Sequence, residues 1–487
     1  MLYLSMKKAQ ITLQFLFLLL VPFIFSCSSN TVNSEDKTER QENLTTISES
    51  NLGINIDLDD ILERDTLRAI TIYSPTSYFI YKGEVMGFEY ELLSRLSEVL
   101  GVHLKIIVAK DLDDMEAMLN SGEGDIIAYG MTITERRKEK VSFTKPYMKI
   151  HQVLVQKSKN QAPNTYIDDI TQLKNKTVSV RKNSAYAERL VHISKEIGSK
   201  IIIDTIDGRF TTPEIIDMVH DGKISYTISD DNIANVSASY YYDLDMKTPV
   251  SLSQNLAWMV RKTSPQLLKK MNQLIHKSVG GLNYNLLYNK YFRNKRKYVK
   301  RRGKEFYCKE RKEISQYDAL IKKYAVKINW DWRLLASQIY QESRFNNHGR
   351  SWVGAGGLMQ IMPRTARSLG VHNVHHPEQN VKGGTKYLKQ LWGKWEQIPD
   401  SVQRLKLTLA SYNCGLYHVF DAQYLAKKNG KNYQSWDNGI DEYILKLSKP
   451  NYFNLKGVKY GYVRGREPYN YVKEIFERYD NYIDFLD

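Results

Sequence analysis

Cysteine is scarce: the chain has three in 487 residues. Cys27, Cys308 and Cys414 stand too far apart for a metal-ligand or dithiol spacing, and no CxxC, HExxH, P-loop or GxGxxG occurs. Zinc, thiol-redox and nucleotide chemistries therefore have no motif behind them, and no cofactor or metal is expected. In an oxidising compartment Cys308 and Cys414 could pair, but two cysteines make no disulfide framework, and free thiols are the simpler reading. Long apolar runs are equally rare. The longest, from Ile11 to Phe25, follows Lys7 and Lys8. It is too short for a comfortable membrane span and has the length of a secretory h-region.

What is present is ordinary globular material. Hydrophobic residues make up 42% and charged residues 25% of the chain, enough apolar side chain to bury more than one core. A prior of roughly 100 to 200 residues per domain gives two to four units. The export signal ends at Ile24-Phe25-Ser26-Cys27, which resembles a bacterial lipobox. Phe25 departs from the smaller residue usual at its position, and a cleaved signal or an uncleaved anchor are the alternatives. The resemblance implies a lipidated Cys27 as mature N-terminus, followed by a polar Ser/Thr/Asn/Glu-rich tether over 28–60. Ser28 lacks the aspartate that resembles an inner-membrane retention signal, so an outer-membrane lipoprotein facing the periplasm is expected.

From Asp65 onward short β-rich runs alternate with helical ones: "TLRAITIYS", "FEYELLSRLSEVLG", "HLKIIVA", "DLDDMEAMLNSG", "DIIAYGMTI". This order predicts an α/β unit with parallel strands over 61–292. Extended runs near 151 and 256 read as two crossings between lobes, with a second α/β block at 165–245 between them. Such a chain makes a cleft suited to hinge closure on a small ligand. The segments "GFEYELL" and "LNSGEGDIIAYGMTITERRKEKVSFTKPY" resemble the family-three extracellular solute-binding proteins. The resemblance implies a two-lobed receptor for an amino acid or stem peptide. Arg137 matches the residue that clamps a ligand carboxylate, as a planar guanidinium does well. Thr132 matches a threonine of the same site, and Asp230, or its neighbour Asp231, the acid that receives an amino group. Surface ion pairs are the plain alternative for these charges.

Charge then concentrates. Residues 293–312, "RNKRKYVKRRGKEFYCKERK", carry eleven basic and two acidic side chains, a local +9 within a chain total of +16. A solvated linker over 293–313 is the simplest reading. Contact with anionic lipid or acidic wall polymer is the functional one, and an exported chain has no nucleic acid to meet.

Beyond the basic run, over 314–487, the period becomes helical. "WDWRLLASQIYQES" places Trp332, Leu335, Ala336, Ile339 and Tyr340 on one stripe, with Asp331 as its cap and Asn346, Asn347 and Gly349 closing it. Glu342 falls at the edge of the stripe. A carboxyl at an apolar rim has its charged form disfavoured and can serve as a general acid near neutrality. Glycosidases ordinarily need a second carboxylate. Asp331 is at the far end of the same helix, and Glu378 and Glu467 are placeable only by the fold.

"YQESRF", "SWVGAGGLMQIMP", "PEQNVKGGTKYLKQL", "ASYNCG" and "EPYNYV", in that order, resemble the soluble-lytic-transglycosylase family, lysozyme-like and mainly helical enzymes acting on peptidoglycan strands. The resemblance implies a mechanism with one carboxylate. Glu342 protonates the glycosidic oxygen between N-acetylmuramic acid and N-acetylglucosamine, then accepts the proton of the muramoyl C6 hydroxyl as that oxygen attacks C1, leaving a 1,6-anhydro end. It also implies that Ser343 orients the site, Tyr471 hydrogen-bonds the acid, Gln360 contacts substrate, Met359 lines the cleft, and Tyr412 and Asn413 contact sugar. Pro468 stands where the family usually has threonine, which removes a side-chain hydrogen bond but suits a helix's first turn. A hydrolytic lysozyme and a receptor with a decayed catalytic half are the rival readings. A wall-derived ligand in the N-terminal cleft would regulate access to Glu342 only by binding two states differently.

Overall fold

The computed structural model describes residues 54–302 and 313–486. Cys27, Cys308 and the tether before Ile54 lie outside the described residues. None of the described helices is long and apolar enough to cross a membrane.

The alternating N-terminal pattern folds as its periodicity predicts. β1 (Thr66–Thr71) pairs in parallel with β4 (His103–Val108) and β5 (Ile126–Thr132), while α1 (Phe88–Leu100) and α2 (Leu112–Asn120) cross over between them. Between β1 and α1 the chain makes a short hairpin, β2 (Phe79–Tyr81) and β3 (Glu84–Met86). β6 (Ser142–Phe143) and β7 (Met148–Ile150) follow, and the chain then leaves at His151 to enter a second sheet as β8 (Gln152–Lys157).

The second lobe contains β9 (Thr177–Arg181), α3 (Ala185–Glu196), β10 (Ile202–Ile206), α4 (Thr212–His220), β11 (Tyr226–Asp230) and β12 (Leu244–Asp245). The return strand β13 (Gln254–Val260) runs antiparallel to β5, β6 and β7, so the first sheet reads β4-β1-β5-β13-β6 with β7 also on β13. Two crossings join two lobes. α5 (Pro265–Ser278) then packs Leu267, Met271, Leu274 and Ile275 onto the first core.

The basic run is not uniformly solvated. Its first part forms α6 (Lys295–Arg302), and Arg301 is buried. Its guanidinium lies 4.8 Å from the Tyr291 ring centroid and 5.7 Å from that of Phe79. Aromatic faces can hold a weakly hydrated guanidinium away from water, which a charge count along the chain does not reveal.

The C-terminal region is helical: α7 (Asp318–Ala325), α8 (Trp332–Ser343), α9 (Pro363–Leu369), α10 (Pro377–Lys394), α11 (Ser401–Cys414), α12 (Leu416–Lys428), α13 (Asp441–Lys446) and α14 (Arg466–Leu486). α8 is wrapped by this bundle, with every residue from Leu334 to Tyr340 buried. It stops earlier than its glycine and asparagines predict, because Arg344 (φ 52°) and Phe345 (φ 60°) turn left-handed directly after Ser343.

The hairpin β2–β3 belongs to the α/β half by sequence and packs on both halves, with Phe79 and Met86 in the first core. Ile80 sits in the core formed by Leu335, Ile339 and Tyr482. Tyr482 Oη donates to Gly83 O at 2.6 Å, and Tyr78 Oη donates to Asn481 Oδ1 at 2.6 Å. Gly83 has φ +78°, and a Cβ there would come within 2.4 Å of Phe345. Only glycine fits so close an approach.

Candidate functional sites: a lone carboxyl and a two-lobed cleft

α8 carries Glu342 out of the core on its last turn, half-buried. Burial pushes its carboxyl up to about 7, and the Tyr471 hydroxyl pulls it partly back. Tyr471 Oη, from the second turn of α14, donates to Glu342 Oε1 at 2.5 Å. Gln338, one turn before Glu342 and fully buried, donates from Nε2 to the same Tyr471 oxygen at 3.2 Å. That donation leaves the tyrosine proton to point at the carboxyl. Gln338 escapes sequence reasoning, because its partner lies on a helix more than a hundred residues further on.

The three acids considered as a second carboxylate are engaged elsewhere. Asp331 caps α8 and binds Arg333, with Tyr479 donating to it. Glu378 is ion-paired to Lys323 at 2.6 Å, and Glu467 is an exposed partner of Arg464. Among the described residues, no other carboxylate contributes to the raised proton affinity of Glu342.

The loop facing Glu342 is held from behind. Ser343 Oγ donates to Leu358 O at 2.8 Å, tying the end of α8 to the Gly-Leu-Met-Gln segment. Asn380, fully buried on α10, accepts from Met359 N at 2.7 Å and donates to the carbonyls of Gly356 and Val374. Gly357 (φ +79°) lies so near that a Cβ would stand 1.9 Å from Val374 O. Met359, expected to line the cleft, instead has its side chain fully buried against Gly384. It is its carbonyl that accepts Tyr412 Oη, at 2.8 Å. Gln360 spends its amide nitrogen on the carbonyls of Gly349 and Gly357. Tyr412 is pushed well above the usual phenol range by burial and then by the charge of Glu342. Asn413 is exposed just beyond it. Cys414 is a free thiol pushed up to about 12 by burial, which leaves it inert as a nucleophile.

Between the N-terminal lobes lies a cavity of about 60 Å³ lined by Thr132, Arg137, Arg181, Asp230 and Glu89 among others. Arg137 is buried, donating from Nη1 to Thr132 O at 3.0 Å and from Nη2 to Asn183 O in the other lobe at 3.2 Å. Asp230 is buried with Oδ1 unpartnered, and burial raises it to about 7. Asp231 points away, 3.5 Å from His151. Glu89 is a second buried acid of the cavity, absent from the sequence reading. Tyr147 donates to its Oε1 at 3.0 Å, its Oε2 has no partner, and burial lifts it to about 7. The acid in "GFEYELL" was visible, but its helical position gave no sign of full burial.

Comparison with known proteins agrees with this geometry. Residues 68–294 match the model for bacterial extracellular solute-binding proteins, family 3, and residues 319–435 that for the transglycosylase SLT domain. The chain is 32% identical over 421 residues to a membrane-bound lytic murein transglycosylase F of Desulfosudis oleivorans, covering 86% of this chain and 90% of the relative. It is also 32% identical over 428 residues to the protein of that name from Shewanella woodyi, covering 87% and 86%. Among solved structures, a mutant of ArgBP from T. maritima overlaps 49% of this chain and all of its own, at 25% identity and a TM-score of 0.43. The two halves define a peptidoglycan lytic transglycosylase: a two-lobed solute-binding domain followed by a lysozyme-like helical domain. The chain belongs to the membrane-bound lytic murein transglycosylase F family.

Proposed function

We propose that Glu342 is the single acid–base group of a non-hydrolytic cleavage of the β-1,4 bond between N-acetylmuramic acid and N-acetylglucosamine. The observation that carries the reading is a carboxyl raised to about 7, hydrogen-bonded by Tyr471, with no second carboxylate among the described residues contributing to its shift. Protonated, Glu342 gives its proton to the leaving glycosidic oxygen. As carboxylate it takes the proton of the C6 hydroxyl while that oxygen closes on C1. The muramoyl ring holds its own nucleophile in place, which replaces the water-activating base of a hydrolase. Tyr471 stabilises the carboxylate half of this cycle. Ser343 and Gln360 fix the facing loop, the backbone of Met359 anchors Tyr412, and Tyr412 with Asn413 offers sugar contacts.

In the N-terminal cleft Thr132, Arg137 and Asp230 receive a small wall-derived amino acid or stem peptide, which biases lobe closure and so access to Glu342. The cavity of about 60 Å³ holds a few waters at most, so such a ligand enters an opened form. Anchoring through a lipid on Cys27 in the outer membrane accords with relatives named membrane-bound. The basic residues from 293 onward, the buried Arg301 excepted, then face anionic wall or lipid.

Digestion of peptidoglycan with wild type and Glu342→Gln, read by mass spectrometry, tests reaction and residue together. Wild type yields anhydro ends, one water lighter than reducing ends, and the variant yields none. Reducing ends from wild type would establish a hydrolase instead.

A further inference from the structure

The helical domain carries a surface that the reaction at Glu342 does not use. Tyr417 and Tyr460 stack on one another with ring centroids 4.5 Å apart and planes 18° from parallel, yet they are 55% and 47% exposed. Large aromatic rings left in water as a pair need an explanation, because burying them is normally favourable.

The pair is built rather than incidental. Tyr417 stands at the start of α12, and Tyr460 on the loop before α14. Asp421, buried on α12, accepts from the backbone N–H groups of Lys459 at 2.9 Å and Tyr460 at 2.7 Å. A buried carboxylate spent on two loop amides fixes that loop strongly. Gly457 (φ +105°) lies against the Tyr424 ring, where a Cβ would meet its Cζ at 2.5 Å. The loop is therefore held at two points, and Tyr460 is presented in a set position.

Charge accompanies the rings. From Leu455 to Arg466 the loop carries Lys456, Lys459, Arg464 and Arg466 and no acid. All four are exposed, and among the described residues only Arg464 has an ion-pair partner, Glu467. Along the chain the surface is connected to the candidate active site at both ends. Tyr417 follows Tyr412 and Asn413 across the Gly415 turn, and the loop runs directly into the helix that brings Tyr471 to Glu342.

We propose that the Tyr417–Tyr460 pair and its flanking lysines form an accessory platform for the same glycan strand, away from the bond being cut. The outer aromatic faces stack on a sugar ring, whose C–H edges suit the negative π face, and the cations meet peptide carboxylates. This rests on the peptidoglycan reading above. The platform holds long strands without touching the reacting atoms, so its chemistry is binding alone.

The test uses the full chain on two substrates, a short tetrasaccharide and strands of many disaccharides, with the double variant Tyr417→Ala/Tyr460→Ala. Loss of one stacking contact raises the half-saturating concentration of long strands by up to about tenfold, and Tyr417→Trp in place of alanine restores it. Lys456→Glu/Lys459→Glu has the same effect and flattens its salt dependence. An equal loss on both substrates, or none on long strands, overturns the proposal. So does binding to phosphatidylglycerol vesicles that these changes abolish while leaving long-strand kinetics alone, which would assign the surface to membrane. Failure of wild type to cleave either substrate would instead sink the peptidoglycan reading itself.

Discussion

Replacing Tyr471 by phenylalanine removes one oxygen from the site and leaves the ring that packs α14 in place. In the wild type two opposed effects set the proton affinity of Glu342: burial raises it, and the Tyr471 hydroxyl at 2.5 Å lowers it, with a net value of about 7. A hydrogen bond to a charged acceptor contributes about 1.5 to 3 kcal/mol. At 1.36 kcal/mol per pH unit, its loss raises the Glu342 carboxyl by about one to two units. The sign follows from which form is stabilised: the hydroxyl favours the carboxylate, so without it the proton stays on to higher pH. On the proposed mechanism Glu342 is protonated when the reaction begins, so the basic limb of kcat/KM against pH moves upward by at least about one unit. A weaker acid also transfers its proton less readily, and kcat near pH 6 falls by roughly tenfold to a hundredfold. The assay is the initial rate of anhydro-end formation from soluble uncrosslinked strands between pH 4 and 10. Gln338→Leu, which removes the donor orienting the tyrosine proton, shifts the limb in the same direction by less. A basic limb that stays fixed or moves down in Tyr471→Phe would refute the argument.

The other predictions concern stability. Glu89→Gln stabilises the fold above pH 7 and not near pH 5, measured by denaturant unfolding at both values. Burial lifts this carboxyl from 4.5 to about 7, so the native state binds an extra proton between those values and loses stability as pH rises through that window. The ionised group then costs up to about 3 kcal/mol, and a pH-independent difference between variant and wild type would contradict this. Gly83→Ala lowers thermal stability by about 2 to 4 kcal/mol, combining a left-handed backbone with overpacking against Phe345 and Tyr482. An unchanged melting temperature would mean the hairpin does not dock on the helical half in solution.

Local periodicity carried much of this architecture. The order β1, α1, β4, α2, β5 and the two crossings were legible because strand and helix periods differ, and because each element has a face to bury. The edge position of Glu342 followed from the same rule. What stayed hidden depends on partners far away in the chain. Gln338 is neutral as a sequence letter, and its meaning comes from Tyr471. Met359 reads as a cleft residue beside Gln360, but the close approach of Gly384 turns its side chain into the core. Arg301 counts as one more charge in a basic run until Tyr291 and Phe79 are brought over it.

The docking of the hairpin at Gly83 has no counterpart in the local sequence "YKGE", because Phe345, Tyr340 and Tyr482 lie far away in the chain. Its placement has a mechanical consequence. Ser77 and Glu89, which line the N-terminal cavity, flank the hairpin on either side in sequence, while its tip touches Tyr340 and Phe345 on either side of Glu342. On the proposed regulation, a movement of lobe one that shifted Ser77 or Glu89 would be felt at the end of α8 through the hairpin, because closely packed contacts do not deform freely. The two halves thus meet at the hairpin through side-chain packing and the Tyr78–Asn481 bond, and the proposed coupling of cleft to acid would run through these contacts.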